Sequence, residues 1–214
     1  MFGLSPSMQG FLGGAAAVSI PLLFNLIKEV VFDWRKRNAE RVYISVQLVF
    51  LLDKFVAHCA DVAWDRGCDP TMPEPDDEAL EDQIQIPIFD MSSAKGEHKY
   101  LEPEMIARLH TIEIRLNQSK EVLCNEGADW NWGGYNWKYY ETRRELLGQI
   151  GLYATAIAKD LRIKFKIQNI EGWEPSERIH RSIQDLKEIK AKRRERQQRR
   201  KAEQERREVE RHNV

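Results

Sequence analysis

Residues 42–52 read VYISVQLVFLL, an almost unbroken apolar run inside a segment, residues 28–66, that contains neither Gly nor Pro. As a helix this run is about 16 Å long, too short for the ~30 Å hydrocarbon core of a bilayer. Asp53 and Lys54 follow it directly. A helix that is apolar around most of its surface but too short to span a membrane is typical of a buried bundle helix. The run therefore predicts an all-α core built around one long first helix.

Toward the C-terminus, breaks rich in Gly and Pro separate three further predicted helices. The second begins at Pro103, a residue favoured in the first helical turn, and ends near Gly127. Its apolar positions alternate spacings of three and four, the seam pattern of packed helices. The third spans about 136–168, with small Gly148 and Gly151 that indicate a closely packed neighbour. The fourth spans 176–212, and only its first half keeps an apolar face. The expected seam residues are Met105, Leu109, Ile112, Leu116, Ser119 and Leu123 in the second helix, and Tyr140, Leu147, Ile150, Ala154, Ile157, Leu161 and Phe165 in the third.

Between the first and second helices lies a long acidic stretch, residues 67–102, that is interrupted by several prolines. Proline removes a backbone donor and breaks helices, so this stretch is expected to be a loop. Loops of this length are unusual in compact domains and are either functional or mobile.

N-terminal to the core, residues 10–27 read GFLGGAAAVSIPLLFNLI and carry no charge. Such a run covers about 27 Å as a helix, close to the thickness of the hydrocarbon core. A cleaved signal peptide would need a basic segment before the run, and none is present. The competing interpretation is a buried core helix. We expect residues 1–33 to form a short external N-terminus and a transmembrane anchor.

The basic residues that follow this run set the expected orientation. Lys28, Arg35, Lys36 and Arg37 place the rest of the chain in the cytoplasm by the positive-inside rule. Gly10 and Gly14 have the spacing that lets two spanning helices approach, so they are candidates for homo-oligomer contacts. The predicted fold is all-α: a single transmembrane helix that continues into an antiparallel helical bundle over 34–170, followed by a long charged helical tail over 171–214.

Residues 129–141 read DWNWGGYNWKYYE and hold three of the six Trp residues. If the second helix packs antiparallel on the first, its C-terminal end lies beside about residue 42, and this loop continues toward Trp34. Trp and Tyr are enriched at membrane interfaces. Two alternatives are a structural cap on the bundle and a ligand site. The predicted membrane-interface set is Trp34, Arg35, Lys36, Arg37, Trp130, Trp132 and Trp137.

Two pairs of residues have the i, i+3 spacing that puts two metal ligands on one helix face. They are His58 with Asp61, and His110 with Glu113. The antiparallel arrangement would bring the pairs to a similar height, where they could bind a divalent metal. The alternative is that all four lie on solvated flanks of the helices.

Residues 190–201 read KAKRRERQQRRK, with eight basic residues against one acidic residue. Such a cluster can bind anionic lipid or nucleic-acid phosphates. The glutamates interleaved through the tail indicate instead a solvated helix, which argues against nucleic acid and favours a protein partner. The candidate partner-binding or anion-binding residues are Lys190, Lys192, Arg193, Arg194, Arg196, Arg199, Arg200 and Lys201.

The sequence contains no phosphate-binding glycine motif, nucleophile elbow or metalloprotease signature. We therefore expect a membrane-tethered interaction or scaffold protein without enzymatic activity or cofactor, whose partners are the lipid bilayer and an unidentified protein. The alternatives are a metal-dependent bundle enzyme using the His and carboxylate pairs, and a binder of nucleic acid or anionic lipid through the basic tail.

Overall fold

The computed structural model describes the backbone of residues 6–68, 80–128 and 137–212, and the side chains of 24, 25, 27–68, 80–126 and 137–204. The described chain is an all-helical bundle. Its helices are α1 (Pro6–Trp64), α2 (Pro103–Ala128), α3 (Trp137–Phe165) and α4 (Pro175–His212). Two short 3-10 turns, Met91–Ser93 and His98–Tyr100, precede α2.

The apolar run of α1 forms the centre of the core. Ile44, Leu48 and Leu52 are completely buried, and burial continues along the same helix to Ala63. Here α1 packs along α3 and against α4. The prediction that residues 42–52 belong to a bundle helix is confirmed.

The predicted seams of α2 and α3 face this core. Only Met105 and Phe165, at the outer ends of the two seams, are partly exposed. Gly151 lies where a Cβ atom would come within 2.8 Å of the Cβ of Cys59, which confirms the close approach expected of the small residues. The seam residues that are buried are Leu109, Ile112, Leu116, Ser119 and Leu123 in α2, and Tyr140, Leu147, Ile150, Ala154, Ile157 and Leu161 in α3.

Ion pairs fix the register of the first and third helices. The end of α1 meets the beginning of α3, where Arg143 contacts Asp65 at 2.7 Å. About three turns before the end of α1, Asp53 meets the last turn of α3, where Arg162 contacts it at 2.5 Å. We call the end of the bundle near Asp65 and Arg143 the distal end.

The second helix follows the opposite course from the one expected. Arg41 Nε donates to the Tyr100 carbonyl at 2.8 Å, so α2 begins beside residues 41–44 of α1. At its other end, Glu126 pairs with Lys138 at 2.8 Å, near the start of α3. The expected position of Glu126 beside residue 42 is therefore wrong, and α2 packs mainly on α3 rather than on α1.

The connection between α1 and α2 explains this course, because its second half runs back along the bundle. The Phe89 ring packs edge-on against Phe55 at 5.3 Å between centroids. Further along, Gly96 lies against Ile44. Within the described part of the connection, residues 80–102, most apolar side chains belong to the core, whereas Ile88 is 81% exposed. Those that are buried are Leu80, Phe89, Met91, Ala94 and Leu101.

Candidate functional site

The N-terminal part of α1 projects from the bundle. We call residues 24–43 the stalk: its described side chains are exposed up to residue 39, and the first buried residue is Ile44. The exposed fraction is 67% for Phe24 and 66% for Trp34. A helix with large apolar side chains on its surface requires a covering environment that the bundle does not supply. The large apolar residues exposed along it are Phe24, Ile27, Val30, Val31, Phe32, Trp34, Val42 and Tyr43.

The predicted basic residues Arg35, Lys36 and Arg37 lie on the same stalk and are exposed. Within the described chain, one helix, Ile27–Trp64, is long and apolar enough to cross a membrane by length and composition. A core helix or a signal sequence meets the same criterion. The side chains of residues 10–23, including Gly10 and Gly14, lie outside the described residues.

The structure places Trp137 far from Trp34. Trp137 lines a cleft together with Asp65 and Arg66 at the distal end. The helical rise from residue 34 to residue 65 separates the two tryptophans by about 47 Å along the axis of α1. The expected proximity of Trp137 to the basic residues of the stalk is therefore wrong, because it depended on the incorrect course of α2. Trp130 and Trp132 lie outside the described residues.

The four candidate metal ligands do not come together. Asp61 pairs with Arg178 of α4 at 2.9 Å, whereas His110 Nδ1 lies 3.2 Å from Glu113 on α2. His58 and Asp61 lie on α1, whereas His110 and Glu113 lie on α2. Because α2 packs on α3 rather than on α1, the two pairs do not meet. Across the described parts of the chain, no group of three or more His, Cys, Asp or Glu side chains could hold a metal ion.

The basic tail leaves the bundle at the distal end. Lys190 pairs with Glu145 at 2.9 Å and Arg193 with Glu141, and both partners belong to the first turns of α3. From Ala191 to residue 204 every side chain of α4 is exposed. The stalk and the tail thus extend from opposite ends of the bundle.

A buried charge network closes the distal end, and sequence reasoning missed it. The Asp65 carboxylate accepts hydrogen bonds from the backbone N–H groups of Gly67 at 2.9 Å, Gln83 at 3.1 Å and Ile84 at 3.0 Å. It also accepts one from Arg143 at 2.7 Å. These bonds connect α1, the connection and α3, so one carboxylate organises three separate segments.

Arg143 and its neighbours complete this network. Its guanidinium also donates to the Ile84 carbonyl and lies 3.2 Å from Asp82. The Tyr139 hydroxyl donates to Asp82 at 3.2 Å. Burial, followed by the nearby Asp82 charge, raises the pKa of the Tyr140 phenol. The phenol therefore stays neutral beside these carboxylates.

Arg144, the next residue, fastens α4 to the bundle. Its Nε donates to Ser182 Oγ at 2.5 Å, and its Nη2 lies 2.9 Å from Asp185. Ser182 Oγ in turn donates to the Ala63 carbonyl at 2.6 Å, and the guanidinium lies 5.2 Å from the ring centroid of Trp64. Burial lowers the pKa of Arg144. The first half of α4 is thus held by buried polar contacts as well as by its apolar face.

Comparison of the chain with protein-family models, with curated proteins and with solved structures found no match.

Proposed function

We propose that this chain is a membrane-tethered helical scaffold protein. In this proposal residues 10–27 cross the bilayer, the N-terminus lies outside, and neighbouring helices of the cytoplasmic bundle run antiparallel around α3. The single observation that carries the proposal is the stalk. Its apolar side chains are exposed although the bundle has its own complete core, which begins only at Ile44.

The stalk also has the charge pattern of a segment that leaves a membrane. The charge-free run ends at Lys28, and Arg35, Lys36 and Arg37 follow within three turns. Basic residues concentrate on the cytoplasmic side of a span, and Trp prefers the interface. A core helix of a soluble protein would instead bury most of its apolar positions, as the same helix does from Ile44 onward, where Phe50 and Trp64 are the exposed large apolar residues.

The position of the tail supports a role in partner binding rather than in binding the same bilayer. The tail leaves the bundle at the end opposite the stalk. Attraction between basic residues and anionic lipid decays within a Debye length, about 8–10 Å at physiological salt. The basic tail therefore lies too far from the anchoring membrane to bind its headgroups, and we assign it to a protein partner in the cytoplasm.

Membrane fractionation tests the anchor. We expect the full-length protein to sediment with membranes and to resist extraction by alkaline carbonate. An Ala16→Arg variant introduces a charge at the centre of the run, which costs about 2.5–3.5 kcal/mol on insertion, and it should be extracted.

The matched control is Asn38→Arg, which adds the same charge at an exposed stalk position. This variant should remain in the membrane fraction. If the full-length protein is soluble without detergent, residues 10–27 do not span a bilayer and the proposal fails.

A further inference from the structure

A cleft of about 320 Å³ lies at the distal end, bounded by three helices. Arg66 at the end of α1, Trp137 and Glu141 at the start of α3, and the middle of α4 form its walls. We call it the distal cleft. The distal cleft contains none of the stalk residues that would contact a membrane.

The floor of the distal cleft is apolar. Leu186 is buried and Ile189 half-buried on the α4 side, and the half-buried Trp137 lines the cleft on the α3 side. Buried Tyr140 closes the base. A floor of this kind accepts one large apolar side chain and does not by itself select a polar ligand.

The rim of the distal cleft carries excess positive charge. Five of its lining residues are cationic and two are acidic. One of the acidic residues, Asp65, is fully engaged by Arg143 and backbone donors, and the other, Glu141, pairs with Arg193. Asp185, next to the lining, pairs with Arg144 at 2.9 Å and with Arg66 at 3.6 Å. Lys192 and Arg196 make no ion pair with an acidic side chain among the described residues, and both are exposed. The cationic lining residues are Arg66, Arg144, Lys192, Arg193 and Arg196.

We propose that the distal cleft binds an acidic peptide segment of a partner protein, which inserts one apolar side chain between Trp137 and Ile189. Flanking carboxylates of that segment pair with Lys192 and Arg196. The apolar floor fixes the anchor, and the rim selects an acidic over a basic sequence. This assignment rests on the proposed scaffold role only in taking the occupant to be a protein segment.

Two other occupants fit the cleft less well. The chain's own tail cannot occupy it, because α4 continues as one helix to His212 and carries the acidic residues of its last turns away from the cleft. Nucleic acid would present a continuous row of phosphates, and Glu141 on the rim and Glu195 on the adjoining helix would repel that row. Leu186 and Ile189, on the α4 side of the floor, suit an aliphatic or phenyl side chain.

The test is a fluorescence anisotropy titration of the full chain in a non-ionic detergent. The probe is a labelled short peptide with a central Phe-Leu pair between Glu and Asp residues. We expect the Lys192→Glu, Arg196→Glu double variant to weaken binding at least about tenfold, the change that follows from losing roughly one charge-assisted contact. Both positions are exposed, so circular dichroism of the double variant should match that of the parent.

The matched control is the Arg194→Glu, Lys201→Glu double variant, which makes the same charge change in the same basic run away from the cleft. It should bind within about twofold of the parent. A peptide with Ser-Ser in place of Phe-Leu, and the Ile189→Ser variant with the original peptide, should each bind about tenfold more weakly.

Three results would overturn the assignment. Equal loss in the control double variant would mean non-specific attraction to the tail, and equal binding of the Ser-Ser peptide would remove the apolar anchor. Displacement of the peptide by a single-stranded thymidine oligonucleotide at lower concentration would assign the cleft to nucleic acid. Since the titration is done in detergent, it does not depend on membrane insertion, so failure of the anchor and failure of the cleft remain distinguishable.

Discussion

At the scale of single residues, Asp65 and Arg143 determine how the distal end closes. Their side chains are 0% and 1% exposed, and they lie 78 residues apart in the chain. A buried ion pair adds little net stability compared with well-packed apolar residues, but removal of one partner leaves a buried charge uncompensated. The pair therefore acts mainly by specifying which segments meet at the distal end.

We expect Asp65→Asn to lower the free energy of unfolding by about 3 kcal/mol or more, because Arg143 would keep its buried charge and lose its closest carboxylate. The measurement is urea unfolding followed by circular dichroism. Asp61→Asn is the control, since Asp61 belongs to a pair with Arg178 that is more than one-third exposed. That change should cost at most about 1 kcal/mol. Equal effects of the two substitutions would mean that the Asp65 network is not buried in solution.

Of these two residues, only the buried position of Arg143 could be predicted from the sequence. Arg143 lies three residues after Tyr140 and four before Leu147, on the seam of α3, and a charged residue on a seam indicates a buried partner. The partner could not be identified in this way. Asp65 comes from the end of another helix, and the periodicity within one segment carries no information about which distant carboxylate will meet it.

At the scale of elements, local sequence rules predicted where each helix begins and ends along the chain. They did not predict which helices pack against each other. Pro103 and Gly127 bracket α2 closely, since Pro suits a first turn and Gly disfavours helix. The neighbour of α2 depended on the course of the connection before it. A connection of that length can leave the next helix at either end of the bundle. The contacts of Phe89 with Phe55, of Gly96 with Ile44 and of Tyr100 with Arg41 decide between the two ends.

Two glycines of α3 provide a matched test of helix packing. A Cβ at Gly151 would lie 2.8 Å from Cys59 Cβ and 2.7 Å from Ile179 Cδ1, whereas at Gly148 the nearest atom is Ile183 Cδ1 at 3.3 Å. Ala favours helix over Gly by about 1 kcal/mol, and overpacking a core costs about 1–3 kcal/mol. We expect Gly151→Ala to lower the free energy of unfolding by about 1–2 kcal/mol.

Gly148→Ala should be neutral or slightly stabilising, because the end of the Ile183 side chain can move aside while the helix-propensity gain remains. Urea unfolding of both variants checks the difference. If Gly151→Ala is as stable as Gly148→Ala, α1, α3 and α4 are not packed as closely in solution as this geometry requires.

At the scale of the whole molecule, the two ends of the bundle differ in character. The apolar stalk extends from one end, and the distal cleft and basic tail occupy the other. The charge asymmetry of the sequence, with its uncharged run near the beginning and its basic cluster near the end, already predicted two functional ends. The sequence could not show that the stalk and the tail lie at opposite ends of the bundle. That arrangement requires the chain to cross the length of the bundle an odd number of times between the two.

This difference between the two ends predicts that only the stalk contacts lipid. In a Cys68→Ser, Cys124→Ser background, where the remaining Cys59 is fully buried, an environment-sensitive nitrobenzoxadiazole label can be placed at Lys28→Cys or at Lys138→Cys. Lys138 is exposed near the distal end, and the helical rise from residue 28 to residue 65 is about 56 Å. After reconstitution into vesicles, lipids that carry a bromine or nitroxide quencher should quench the label at position 28 and leave the label at position 138 unaffected.

Three quenching patterns distinguish three arrangements of the molecule. Quenching at position 28 alone requires a bundle that stands away from the bilayer, with its cleft open to the cytoplasm. Quenching at both positions would mean that the bundle lies flat on the membrane, and the distal cleft would then face lipid rather than a soluble partner. Quenching at neither position would show that the stalk does not approach the bilayer, and its exposed apolar side chains would have to be covered by protein instead.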